Sequence, residues 1–219
     1  KLGFEVETHK PTNNFKDIEL KVRDNIDALI LDYKLTEGEG EQACFDAPTI
    51  AQFVRTMHSI DGFNIPIVLM SNQTIFIENY KNDFTSQDLF DFTITKQEFS
   101  SNQELFGDKL NSFIIAYKKI KADNNLIKTL ALEEDQTILH SRLISSYEKL
   151  GNNHFKVSSL IYDDLICAVG LTIGEDILSA RLGISKKSED WSKLLEDLKD
   201  ASYKGVFSDI KNRWWMDKV

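Results

Sequence analysis

Three short apolar runs constrain this chain more than any other feature: residues 27–32 (DALILD, ending on an acid), 65–70 (IPIVLM, ending at Ser71) and 91–95 (DFTIT, ending at Lys96). Near-continuous apolar runs of this length mark strands covered on both faces, the pattern of a parallel sheet. Between them lie stretches with a helical period. Residues 14–25 place Phe15, Ile18 and Val22 on one face, and residues 48–58 do the same with Ile50, Phe53, Val54 and Met57. Asp46 and Pro48 are suited to cap that second helix and open its first turn. A further helix is expected within residues 73–83, and another over 102–121 with Leu110, Phe113, Ile114 and Tyr117 on one stripe. Residues 3–8 (GFEVET) read as one more strand. Strict alternation of strand and helix implies right-handed crossovers, hence a parallel sheet with helices on both faces.

Beyond residue 122 the strand signal stops. Leu139, Leu143, Tyr147 and Leu150 form one helical stripe; Val157, Leu160, Ile161, Leu165 and Ala168 form a second; Trp191, Leu194, Leu195 and Leu198 form a third. Phe207, Ile210 and Trp214 suggest a last helix. The expected organisation is an α/β domain over residues 1–121 and an all-α domain over 122–219. No flexible linker separates them, so the helix ending near 121 is expected to run straight into the second domain.

Composition narrows the function. The net charge is −9, and no basic stripe is present of the kind that neutralises duplex phosphates, so nucleic acid is not an expected partner. No apolar run approaches the roughly 18 residues that span a bilayer, and no signal peptide is read, which gives a cytoplasmic expectation with no membrane partner. Cys44 and Cys167 share no CxxC or zinc-like spacing and read as reduced thiols. His9, His58, His140 and His154 show no metal-ligand spacing.

The chemistry sits where the strands stop. In an open parallel sheet, reactive side chains gather outside the carboxyl ends of the strands. Asp32, Ser71 and Lys96 occupy three such ends. A carboxylate can attack phosphorus, a hydroxyl can hydrogen-bond a phosphoryl oxygen, and a lysine can neutralise another.

The order LILDYKL, PIVLMSN, DFTITK resembles the receiver domains of bacterial response regulators, over roughly residues 1–121. The resemblance implies a flavodoxin-like, doubly wound five-stranded sheet of order 2-1-3-4-5. It implies an aspartyl-phosphate switch in two-component phosphorelay signalling, charged by a histidine kinase. By that match Asp32 is the phospho-acceptor, Ser71 the hydroxyl that turns toward the phosphoryl group, and Lys96 the cation that pairs with it. Thr93 falls at the switch position, where the family places an aromatic residue. Mg²⁺ is the implied cofactor, held by Asp32 and the backbone carbonyl of Lys34. The chain activates no other substrate on this reading: it is a phospho-acceptor rather than an enzyme in its own right.

Three departures qualify the match. The acidic pair that anchors the metal at the end of the family's first strand is not found, and its expected place is upstream of Lys1. The segment after Asp32 carries an insertion, TEGEGEQACFD (residues 36–46). Gln97 stands where the family commonly has proline. A degenerate receiver, docking without phosphorylation, is the alternative these departures raise. For the helical half, the first expectation is an interaction or dimerisation module contacting an effector or a second copy, with Trp214, Trp215 and Arg213 as anchors. A DNA-binding output is the second, from the helix-turn-helix-like stretch ILSARLGISKK (residues 177–187), although the following helix is acidic. An enzymatic effector is the third, and no phosphate loop, HExxH or nucleophile elbow supports it. An inserted loop with a non-DNA-binding helical tail also looks similar to receiver proteins found beside histidine kinases in bacterial anti-phage defence operons.

Overall fold

The computed structural model describes residues 3–23, 26–36, 43–57, 64–133 and 139–219. They fall into two compact units, Lys1–Ile114 and Ile115–Val219.

In the first unit, helix α1 (Phe15–Arg23) is followed by strand β1 (Leu29–Asp32), helix α2 (Ala47–Thr56), strand β2 (Ile67–Ser71), helix α3 (Gln73–Ile75), strand β3 (Phe92–Thr95), helix α4 (Lys96–Ser101) and the long helix α5 (Gln103–Ala122). The three apolar runs form one parallel sheet of order β1-β2-β3. Its register pairs Leu31 with Leu69 and Asp32 with Met70, then Met70 with Ile94 and Ser71 with Thr95. Alternation along the pleat gives each face its own partners. Leu31, Ile67 and Leu69 pack in one cluster with Ile18 and Val22 of α1 and with Ile50, Ala51 and Val54 of α2. On the other face the Phe92 ring meets Phe106 and Phe113 of α5, at centroid separations of 6.1 and 5.1 Å. Ile67, Val68 and Leu69 are fully buried.

A buried ion pair closes the amino end of this sheet. Arg55 Nη2 lies 2.7 Å from Asp91 Oδ2, and the two side chains are 8% and 1% exposed. Arg55 Nε also donates to the Leu89 carbonyl and Nη1 to the Ile65 carbonyl, each at 3.0 Å. The Ile67 amide donates to the same Asp91 oxygen at 2.7 Å. One guanidinium thus ties α2 to the segments that open β2 and β3.

Residues 3–8, expected as a strand, form no ladder, and Val6 is exposed. A strand needs a neighbour for its backbone groups, and among the described residues no strand pairs with this segment. The helix expected within 73–83 is α3 continued by a π-helical turn, Phe76–Tyr80, which buries Tyr80 against Phe90 and Tyr33. His58 and residues 37–42 of the inserted loop lie outside the described residues.

The second unit is mostly helical: α6 (Leu126–Thr129), α7 (Ser141–Leu150), α8 (His154–Ile161) continued by a π-helical turn Tyr162–Cys167, then α9 (Glu175–Leu182) and α10 (Trp191–Asp197). A two-stranded antiparallel ladder, β4 (Thr172–Ile173) with β5 (Trp214–Trp215), joins its chain end to its middle. Ile173, Leu178, Trp191, Ala201 and Trp214 form the core around that ladder.

The last helix expected over Phe207, Ile210 and Trp214 is replaced by turns and β5. Phe207 adopts φ +68°, a left-handed conformation that ends helical propagation. Just before it, Gly205 runs so close to Leu130 that a Cβ would stand 2.7 Å from the Leu130 Cα. The boundary between the units lies inside α5, between Ile114 and Ile115. Among the described residues no helix is long and apolar enough to cross a membrane.

Arg55→Ala leaves the Asp91 carboxylate buried without its cation, so urea unfolding should show a loss of about 3–5 kcal/mol; a loss below about 1 kcal/mol contradicts the tie described here. His154 is buried with Nδ1 lacking a hydrogen-bond partner. Burial, and secondarily the charge of Lys121, hold its pKa below the ordinary 6.5. The unfolded chain therefore binds a proton near pH 6.5 while the folded chain does not. Stability of this unit is full above that pH and declines as pH falls through 6.5 toward the folded value. Thermal denaturation at pH 7.5 and 5.5 should show the decline in wild type and a smaller one in His154→Leu.

Candidate functional site

The carboxyl rim of the sheet is where the predicted residues come together. Asp32 ends β1. Lys96 begins α4 directly after β3, and its ammonium is ion-paired with the Asp32 carboxylate. Asp32 ends β1 and Lys96 directly follows β3, strands that are not neighbours, so their contact reaches across the end of β2. Both side chains are partly open to solvent, 43% exposed for Asp32 and 42% for Lys96.

Ser71 is the last residue of β2, one step past Met70, the register partner of Asp32. It is fully buried, and its Oγ has no hydrogen-bond partner. The structure therefore joins Asp32 and Lys96 directly and sets Ser71 at the end of the intervening strand, without a bond to either. A buried hydroxyl left unbonded costs about 1–3 kcal/mol. Such a group is a candidate for an acceptor or donor that arrives with a ligand.

Local structure fixes the backbone on both sides. Thr95 caps α4 through a reciprocal pair of bonds. Its Oγ1 accepts from the Glu98 amide at 3.1 Å, and the Glu98 carboxylate accepts from the Thr95 amide at 2.8 Å. The Thr95 amide, and next the Thr95 hydroxyl, donate to the Glu98 carboxylate and hold it below its usual pKa. The cap starts the helix at Lys96 and so fixes where the ammonium leaves the backbone. The sequence signal was present in Thr95-Lys96-Gln97-Glu98, a Thr-x-x-Glu capping box.

On the other side, Asp46 organises the loop after Asp32. It was expected to cap α2 with its side chain, and it makes no such bond. Its carboxylate instead accepts from Lys34 Nζ at 3.0 Å, from the Leu35 amide at 3.2 Å and from Thr36 Oγ1 at 3.3 Å. Lys34, whose carbonyl the resemblance assigns to a metal, belongs to this tied loop. Thr93 lies within β3 as the register partner of Leu69 and is partly exposed.

Mg²⁺ prefers six oxygen ligands in a near-octahedral shell. Among the described residues no group of three or more His, Cys, Asp or Glu is placed to hold a metal ion, and the Asp32 carboxylate is already engaged by Lys96. The described residues do not by themselves make the Mg²⁺ site the resemblance implies.

No family model, curated protein or solved structure matches this chain. The site is therefore read on its own geometry.

Elsewhere, Trp214 and Trp215 are buried, at 5% and 2% exposure, as is Arg213. These expected interface anchors pack inside the second unit, because β5 needs them for its ladder and core. In the helix-turn-helix-like stretch, α9 ends on Gly183 in the left-handed region and α10 begins only at Trp191. That connection is longer than the turn of about three or four residues typical of the motif. Cys44 and Cys167 are exposed free thiols.

Stability measurements separate a functional rim from a structural one. Ser71→Ala should leave stability unchanged or raise it, since the orphaned hydroxyl is removed, and Lys96→Ala should change it by less than about 1 kcal/mol because the pair is solvated. A loss above about 2 kcal/mol in either variant would make that side chain part of the scaffold.

Proposed function

We propose that this chain is a response-regulator-type phospho-acceptor of two-component signalling. The observation that carries the reading is the pairing of Asp32 with Lys96 across the end of β2, where the buried Ser71 hydroxyl has no partner. On this reading the first unit is a doubly wound receiver sheet of order 2-1-3-4-5, and the parallel order β1-β2-β3 supplies its last three strands.

The chemistry asked of the rim is modest. One Asp32 oxygen attacks the phosphorus of a kinase phosphohistidine, an O–P bond forms, the N–P bond breaks, and the imidazole leaves and takes a proton. Asp32 is open enough for a partner's phosphohistidine to reach. Lys96 exchanges its bond to the carboxylate for one to a phosphoryl oxygen, and Ser71 donates its free hydrogen to another. Phosphorylation adds roughly −1.5 to −2 charge at this end of the sheet. It thereby shifts Lys96, the first residue of α4, and the backbone just after β2.

Were Mg²⁺ bound, Asp32 and the Lys34 carbonyl would be the described residues to hold it, and it would supply neutralisation of phosphoryl charge. The helical unit is the relay to an effector protein or a second copy, in the cytoplasm, with anti-phage defence as one setting. A second reading has its own support. The Asp32 carboxylate is already neutralised by Lys96, which suits a degenerate receiver that docks to its partner without being phosphorylated.

The deciding experiment incubates the protein with phosphoramidate, and separately with an autophosphorylated histidine kinase, each with and without Mg²⁺. Intact mass should rise by one phosphoryl group, hydroxylamine should remove it, and Asp32→Asn should abolish it. Lys96→Ala and Ser71→Ala should slow uptake about tenfold or more. Label retained by Asp32→Asn, or no label from either donor, overturns the phospho-acceptor reading. In the second case, kinase binding that is unchanged by Asp32→Asn supports the docking reading.

A further inference from the structure

We infer, on the phospho-acceptor reading of the rim, that Asp46 governs how fast Asp32 takes up a phosphoryl group, by fixing the loop that follows the acceptor. The Asp46 carboxylate gathers three successive residues, beginning two past Asp32. Its Oδ2 accepts from Lys34 Nζ at 3.0 Å, and its Oδ1 accepts from the Leu35 amide at 3.2 Å and from Thr36 Oγ1 at 3.3 Å. The Lys34 and Asp46 side chains are 27% and 26% exposed, against 42% and 43% for Lys96 and Asp32. This tie is more shielded from solvent than the acceptor's own ion pair, and is held on both carboxylate oxygens.

The mounting behind this carboxylate is rigid. The Asp46 carbonyl accepts from the Thr49 amide at 3.0 Å, and the next residue, Ala47, donates its amide to the Tyr33 carbonyl at 3.0 Å. Ala47, Ile50, Ala51 and Val54 of α2 are buried in the core that also holds Leu31 and Tyr33. Arg55 clasps the same helix to Asp91. A residue at the N-cap ordinarily turns its side chain onto the amides of its own helix. Asp46 makes no such bond, and both of its oxygens serve the loop instead.

Only Tyr33 separates Asp32 from the residues tied to Asp46. Backbone that slackens at Lys34 therefore shifts the acceptor carboxylate, and a misplacement of about 1 Å at a reacting group costs on the order of a hundredfold in rate. The same tie sets the Lys34 carbonyl, and it matches the Asp46 charge with an ammonium, so the loop brings no net negative charge toward an incoming phosphoryl donor. Asp46 acts here as a positioning residue. Asp46→Ala releases residues 34–36 together while leaving Asp32, Lys96 and Ser71 in the chain. Asp46→Asn retains an oxygen for the Leu35 amide and the Thr36 hydroxyl.

The test follows phosphoramidate uptake by intact mass on the full chain, in the presence of Mg²⁺ and over a range of donor concentrations. Asp46→Ala should lower the rate at saturating donor about tenfold, with the half-saturating concentration within about twofold of wild type, the signature of lost positioning rather than lost donor binding. Asp46→Asn should restore the rate to within about threefold of wild type, and the ¹⁵N amide shifts of residues 34–36 should follow the same order. Should Asp46→Ala unfold, Thr36→Val carries the test: it removes one of the three bonds and should slow uptake about threefold. A saturating rate unchanged in Asp46→Ala or, in its place, in Thr36→Val overturns the inference, as does Asp46→Asn as slow as Asp46→Ala; each leaves the phospho-acceptor reading standing. No label on the wild-type chain overturns that reading, and the role of Asp46 with it.

Discussion

Strand β2 is the constraint on which the first unit depends. It is hydrogen-bonded along both edges, and Ile67, Val68 and Leu69 are excluded from solvent on both faces. A one-residue slip against either neighbour would turn every side chain to the wrong face, so the register of β1 and β3 is set through this strand. That register is what places Asp32 and the start of α4 at one rim. The rim arrangement is thus an outcome of packing in the middle of the sheet.

The two ends of the sheet use similar ions in different surroundings. At the amino end, Arg55 and Asp91 are nearly devoid of solvent and bound to backbone on several sides. Rearranging them would strand a buried charge, and the pair acts as a clasp. At the carboxyl end, Lys96 and Asp32 stay close to half exposed, so exchanging one anionic partner for another meets only a small barrier of desolvation. Burial, more than the identity of the charges, separates a clasp from a pair that can exchange partners. Arg213 belongs to neither class, because its charge is buried on neutral oxygens alone.

Much of this was legible in the chain. An apolar run that ends on an acid, a hydroxyl or a lysine reports both a buried strand and the polar group at its end, so β1, β2, β3 and the rim residues could be named from residues 27–32, 65–70 with Ser71, and 91–95 with Lys96. Features set by distant partners could not. Asp46 looks like a helix cap in its local sequence, and only the folded loop shows it gathering Lys34, Leu35 and Thr36. Arg55 and Asp91 are far apart in the chain and carry no mutual signal. Residues 3–8 alternate as a strand does, yet the pattern does not say whether a neighbour stands beside them. The stripe of Phe207, Ile210 and Trp214 satisfies a helical period, but Phe207 in the left-handed region and the close passage at Gly205 decide against a helix.

Helix α5 has a consequence for how this protein can be divided or inherited. Phe113 and Ile114 are buried on one side of the boundary between the units, and Tyr117 and Ile120 on the other. A cut at that point would sever about four consecutive helical hydrogen bonds and bare an apolar stripe on each fragment. The halves therefore cannot be exchanged as modules by recombination at their border: a new partner for either half must also bring a helix that continues in phase.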